Sequence, residues 1–160
     1  MSSNTDLFYT TTDEVRAVLG LTDKELKDKM ILDAGTLDAL ALALAEHFPE
    51  HDALAQRVDV PGVTPDDDRL WLLLKGYCRY EAACHLLPQF QMIVVKKITD
   101  GDVEMMRFGP DDLAQFVANI RSRRDEYLRG LDPEFFATTA FYGFGASVPA
   151  YDPVTNEGAV

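Results

Sequence analysis

Residues 66–88 read DDDRLWLLLKGYCRYEAACHLLP, and this stretch decides the fold. Asp66, Asp67 and Asp68 place three carboxylates where a helix N-terminus favours negative charge. The residues that follow are apolar nearly all round a helix: Leu70, Trp71, Leu72, Leu73, Leu74, Tyr77, Cys78, Tyr80, Ala82, Ala83, Cys84, Leu86 and Leu87. A helix of that kind is covered on several sides. It carries charges and falls short of the roughly 20 apolar residues of a membrane span, so it reads as the central core helix over 67–87, ended by Pro88.

The flanking sequence supplies helices to cover it. Thr11-Thr12-Asp13-Glu14 and Thr22-Asp23-Lys24-Glu25 both have the form of a capping box. Each threonine hydroxyl can accept from the third residue's amide while the glutamate reaches back. The first box opens a helix over 12–19 with Val15, Val18 and Leu19 on one face and Gly20 as its stop. The second opens a helix over 23–31 with Leu26, Met30 and Ile31. After a break at Gly35-Thr36, Leu37, Leu40, Ala41, Leu44, Ala45 and Phe48 repeat at helical spacing, giving a helix over 37–47 that Pro49 ends. Residues 49–65 hold three prolines and a glycine without a clear period and read as a loop.

Beyond Pro88, Met92-Ile93-Val94-Val95 is apolar and rich in β-branched residues, and Asp100-Gly101 is a hairpin turn signal. A β-hairpin near 92–108 is therefore expected, with Val103 to Phe108 as the returning strand. Pro110-Asp111-Asp112 opens a last helix over 111–129. Leu113, Phe116, Val117, Ile120, Tyr127, Leu128 and Leu131 line one of its faces, and Gly130 and Pro133 end it. Trp71, Leu74, Tyr77 and Cys78 are expected to pack against Phe116, Ile120 and Tyr127. The fold class is mainly α: a small helical bundle over 1–136 with one β-hairpin, and an extended C-terminal arm over 137–160. That arm interleaves Phe141, Tyr142, Phe144 and Tyr151 with glycine and proline and has almost no charge. Such composition suits a segment that orders on a partner.

Composition narrows the function classes. The 160 residues are 47% hydrophobic, enough for a real core, and carry a formal net charge of -12. This charge repels nucleic-acid phosphate, which argues against a nucleic-acid reader. Cys78 and Cys84 stand six apart in one helix, point different ways and cannot pair within it; two free thiols fit a reducing cytoplasm. Met1 to Asp6 lacks the basic and apolar regions of a secretory signal. No cofactor fingerprint, phosphate loop or hydrolase elbow is present, so a non-enzymatic protein is expected. His47 and His51 have the spacing of a helical metal pair, but Pro49 separates them and no further ligands follow, so no metal is expected. Cys84 and His85 are neighbours on diverging faces, without nucleophile–base geometry. Arg121, Arg123 and Arg124 form the one basic cluster. They read either as partners of Asp125 and Glu126 on their own helix or as contacts with the acidic surface of a neighbouring copy. Lys96 and Lys97 read either as an intersubunit contact or as a charged strand edge.

The start Tyr9-Thr10-Thr11-Thr12-Asp13-Glu14-Val15-Arg16-Ala17-Val18-Leu19-Gly20-Leu21 resembles the head–tail connector adaptors, or head completion proteins, of tailed bacteriophages. So does the order of an acidic-capped core helix (Asp66 to Leu87), a ribbon (Met92 to Phe108) and a long C-terminal helix. The resemblance covers residues 8–131. It implies a structural virion protein that forms a homo-oligomeric ring, commonly twelvefold, under the portal protein. Such a ring extends the DNA channel without binding DNA specifically and offers a surface to the tail or stopper. The arm resembles segments that hook a portal or a neighbour. A stopper or tail-completion protein, or a small helical protein-binding module, stays open as a second reading.

Overall fold

The computed structural model describes residues 6–59, 63–99 and 110–133. Among the described residues eight elements follow one another: β1 (Asp6–Leu7), β2 (Thr10–Thr11), α1 (Thr12–Leu19), α2 (Asp28–Ile31), α3 (Ala34–His47), α4 (His51–Val58), α5 (Pro65–Thr99) and α6 (Pro110–Leu131). The architecture is mainly α, with α5 at its centre. Helix α6 runs antiparallel along it, and α1, α3, α4 and β2 rest on it as well. The antiparallel sense follows from the contacts: Phe90 meets Phe116 at one end, while Gly76 meets Tyr127 and Leu73 meets Gly130 towards the other.

The N-terminus folds as its first capping signal dictates. Thr11 caps α1: its Oγ1 accepts from the Glu14 amide, and Glu14 Oε2 accepts from the Thr11 amide. Gly20 ends the helix at φ 65°, a left-handed conformation that glycine adopts without cost. Just before α1, β1 and β2 pair antiparallel, with Leu7 opposite Thr10. Phe8 makes the turn between them at φ 52°, unusual for a residue with a Cβ.

The second capping signal does not carry a helix over 23–31; only Asp28–Ile31 is helical. Glu25 Oε2 does accept from the Thr22 amide, but the Thr22 hydroxyl donates to that same carboxylate, and the Glu25 amide donates to the Thr22 carbonyl at 3.1 Å. The Leu26 carbonyl, which a continuing helix needs, accepts instead from the Arg16 guanidinium at 3.1 Å. Arg16 is only 6% exposed and also donates to Asp28 (2.6 Å), Asp13 (2.6 Å) and Thr12 (3.3 Å). A buried guanidinium holding both a carbonyl and a carboxylate of the following segment sets the path between α1 and α2.

Asp28 is held below the usual carboxylate range by its hydrogen bonds from Arg16 and Thr12. Its folded form therefore binds a proton less readily than its unfolded form, so it contributes stability above the ordinary aspartate value of about 3.9 that is lost as pH falls further. Asp28→Asn is expected to destabilise the chain at pH 7, and the gap to wild type should close in acid. Urea unfolding at both pH values reads this; a gap that does not change with pH would contradict the pairing.

Three further boundaries differ from those the sequence suggests. Helix α3 starts at Ala34, because Asp33 caps it by accepting from the Gly35 amide. Residues 51–58, read as loop, form α4, which buries Leu54 completely and packs Val58 partly. The largest correction is at Pro88. It lies inside α5, which continues through Met92–Val95 to Thr99, so the expected first strand of a hairpin is helix. Leu86, Leu87, Phe90 and Ile93 form one stripe at helical spacing that packs on α1 and α6, and this burial outweighs both β-propensity and the proline. Pro88 itself is exposed. The turn at Asp100-Gly101 and the strand Val103 to Phe108 lie outside the described residues.

Two apolar clusters fill the bundle. One gathers Val15, Leu19, Ile31, Leu40, Ala83, Leu86, Phe90 and Ile120; the other gathers Leu44, Leu54, Leu74, Tyr77, Cys78 and Leu128. The expected packing is thus correct in part. Leu74, Tyr77 and Cys78 are buried and share a cluster with Tyr127, but Phe116 and Ile120 belong to the other cluster, farther along α5. Trp71 is half-buried and meets Tyr9 edge-on, centroids 5.2 Å apart. Leu74 has no exposed surface, so Leu74→Ala is expected to cost about 2–5 kcal/mol in urea unfolding; a change near zero would contradict its place in the core.

Candidate functional site

Two candidate surfaces lie where other elements meet α5. On one side, α3, α5 and α6 enclose an open cavity of about 570 Å³. Ala39, Leu42 and Ala43 of α3 supply its apolar wall, Glu46, Glu81, Arg124 and Asp125 supply its charges, and His47 lines it as well. The Arg124 guanidinium donates to Asp125 (2.7 Å) and lies 3.7 Å from Glu81 Oε2, too far for a hydrogen bond. Burial therefore dominates at Glu81 and raises its carboxyl above the usual range, although Arg124 and His47 pull the other way. Burial opposes the charge of Arg124 too, but Asp125 and Glu81 overcome it and keep the guanidinium firmly protonated.

On another side, the N-terminal turn meets α4 and α5. The Tyr9 hydroxyl donates to Asp52 at 2.8 Å and lies 2.7 Å from Nδ1 of His51. Its ring stands edge-on to both Trp71 and His51, and Lys75 Nζ sits 5.2 Å from the centre of the Trp71 ring. Arg79 of α5 donates to Glu14 of α1 at 2.6 Å. Burial alone would raise Glu14, but hydrogen bonds from Thr10 and Thr11 and the charge of Arg79 hold it below the usual range. These are ties between elements, with aromatic rings and ion pairs closing the joint.

The residues singled out by sequence fall in different places. Arg123 is exposed and pairs with Glu126 at 2.8 Å, and Arg124 pairs with Asp125, which is the intra-helix alternative. Arg121 is exposed on α6. Lys96 and Lys97 belong to the last turns of α5, so they do not stand on a strand edge. Phe141, Tyr142, Phe144 and Tyr151 lie outside the described residues. His47 ends α3 and His51 begins α4, so Pro49 does interrupt the helix face between them. His47 Nδ1 lies 3.8 Å from Asp132, and His51 faces Tyr9. Among the described residues no three metal-ligating side chains converge. Burial pushes the Cys78 thiol up to about 12 and the Cys84 thiol up to about 11, so neither is a thiolate at neutral pH.

The Glu81–Arg124 cavity escaped the sequence reading, yet it left a signal. Arg124 falls on the apolar stripe between Ile120 and Leu128, and Glu81 stands one residue before the apolar run Ala82-Ala83-Cys84 of α5. Two opposite charges at inward positions of adjacent helices often meet. No helix among the described residues is long and apolar enough to cross a membrane. Comparison with models of known protein families, with curated proteins and with solved structures gives no match.

Proposed function

We propose that this chain is a structural head–tail adaptor of a tailed bacteriophage, acting as one copy in a twelvefold ring between a portal protein and a tail or stopper. The observation that carries the reading is the order of elements around α5. A capped α1 enters from the Tyr9–Leu21 segment, an acidic-capped central helix follows, and a long antiparallel α6 closes the bundle. Its helical character favours this role over a stopper or tail-completion role, which would call for more β-structure. The net charge of -12 suits a channel wall past which DNA slides without being held. The exposed Arg121 and Arg123 are the contacts we assign to the acidic face of a neighbouring copy, and the arm over 137–160 is the segment we assign to the portal.

The test is attachment to portal-bearing heads. Full-length protein is expected to add a ring of density beneath the portal in electron micrographs. A chain ending at Glu134 is expected to fold, because it keeps every described residue of both apolar clusters, but to attach poorly. Absence of any ring with the full-length chain would overturn the adaptor reading. Equal attachment by the shortened chain would overturn the role of the arm alone.

A further inference from the structure

Two exposed leucines stand in opposite electrostatic surroundings. Leu72 of α5 is 68% exposed and Leu42 of α3 is 69% exposed. Leu72 lies in a groove of about 580 Å³ that runs along α5 from Pro65 to Arg79 and is bounded on α6 by Tyr127. Arg69 and Lys75 flank it, one helical turn to either side. Arg79, already tied to Glu14, lines the groove as well, and Asp68 is the one carboxylate among the described lining residues. Leu42 has the reverse setting. Asp38 and Glu46, both exposed, flank it four residues to either side on one face of α3. It lines the cavity in which Glu46, Glu81 and Asp125 stand against the single guanidinium of Arg124.

These patches match each other and not themselves. A chain of net charge -12 repels its own copies, so a contact between copies has to bring unlike charges together where they touch. Groove on groove or α3 on α3 joins like charges. Groove on α3 joins unlike charges, with a leucine at the middle of each patch. The spacing fits. Asp38 to Glu46 covers about 12 Å along α3 and Arg69 to Lys75 about 9 Å along α5, a difference that long basic side chains span. The patches also lie on opposite sides of the central helix. Tyr77 and Glu81 line the α3 cavity, and Leu72 and Arg79 stand about 140–180° round α5 from them. Two copies therefore make this contact once, leaving one groove and one α3 face for the next copy. Contacts between unlike patches close into rings or run on as filaments.

We propose that the Leu72 groove of one copy receives the Asp38–Leu42–Glu46 face of α3 from a second copy of this chain. The inference rests on the ring reading, for which it names the contact between neighbours.

The test places the photo-cross-linker p-benzoylphenylalanine at position 72 of the full-length chain and mixes it with an isotope-labelled full-length chain. Mass spectrometry then tells links between copies from links within one. The mixture is irradiated both in concentrated solution and on portal-bearing heads. Links from position 72 to residues 38–46 of the labelled copy are the expected result. Arg69→Glu with Lys75→Glu in the first chain should lower their yield about fivefold, the scale of two exposed ion pairs. Asp38→Lys with Glu46→Lys in the labelled chain should restore it, which no second chain could do for a first chain that had merely unfolded. Links to another part of the labelled copy, no links between copies in either setting, or a loss without rescue overturn the proposal. Electron micrographs of the same heads keep the two readings apart. A ring beneath the portal without these links sinks the contact alone, and these links without a ring sink the adaptor reading alone.

Discussion

Gly76→Ala is expected to destabilise the protein by about 3 kcal/mol or more, at the upper end of what one added methyl group does in a packed interface. A Cβ at this position would lie against Cδ1, Cε1 and Cζ of Tyr127, the last at 2.6 Å, well inside van der Waals contact. The ring is not free to swing aside, because Tyr80 stacks on it with centroids 5.6 Å apart and planes 27° from parallel. The overlap must then move α6 off α5, and that seam also carries Leu128 and Leu131 against Leu74 and Tyr77. Its backbone conformation is ordinary helix, so the need for glycine here is one of space alone. Tyr127→Ala removes the obstacle. In that background Gly76→Ala should cost little, or help slightly through helix propensity. Urea unfolding of the four proteins of this cycle measures the coupling. Additive losses would mean that Tyr127 is not what excludes a side chain at position 76.

Much of this framework is legible in the sequence because it rests on local signals. The Thr11–Glu14 box, Gly20 and the Asp66–Asp68 cluster mark real helix ends, and the apolar stretch from Leu70 to Leu87 does mark the central helix. What misleads are places where a distant group takes over a local one. The Thr22–Glu25 box looks equal to the first, but Arg16, ten residues before Leu26, takes the carbonyl that a helix would use. Helix α4 has one buried anchor, Leu54, too little periodicity to stand out between prolines. At Pro88 the local rule favours a stop, and only the far end of α6 and α1 make continuation profitable.

The candidate sites divide along the same line. Sequence flags Arg124 as out of place on an apolar stripe, and the structure supplies Glu81 and Asp125 around it. It gives no hint that Arg69, Lys75 and Arg79 line one groove. Lys75 and Arg79, four apart, share a face, but Arg69 stands six before Lys75, about 240° round the helix, and Tyr127 closes the groove from 48 residues beyond Arg79. Grooves between helices are set by which helices pair, and that is decided by tertiary packing.

Phe90→Ala is expected to cost about 3–5 kcal/mol, because the ring is 1% exposed and lies 5.2 Å from Phe116. The same experiment reads the conformation beyond Pro88 when it is paired with Met92→Ala. On a helix, residues 90 and 92 point about 200° apart; on a strand they share a face. Phe90 is buried and Met92 is 66% exposed, as the helix requires. Met92→Ala should therefore change stability by no more than about 0.5 kcal/mol. A 160-residue chain should show the Phe90 loss as a fall in Tm of roughly 6–20 °C, with Met92→Ala close to wild type. If both variants lost stability to a similar extent, the segment would have the two-residue period of a strand, and the continuation of α5 through Pro88 would be wrong. The outcome bears on more than one side chain. The stripe of Leu86, Leu87, Phe90 and Ile93 joins α1 to α6, so a helix through Pro88 makes the N-terminal segment and the long helical pair one cooperative unit. Loss at Phe90 should accordingly shift the unfolding of the whole chain in a single transition.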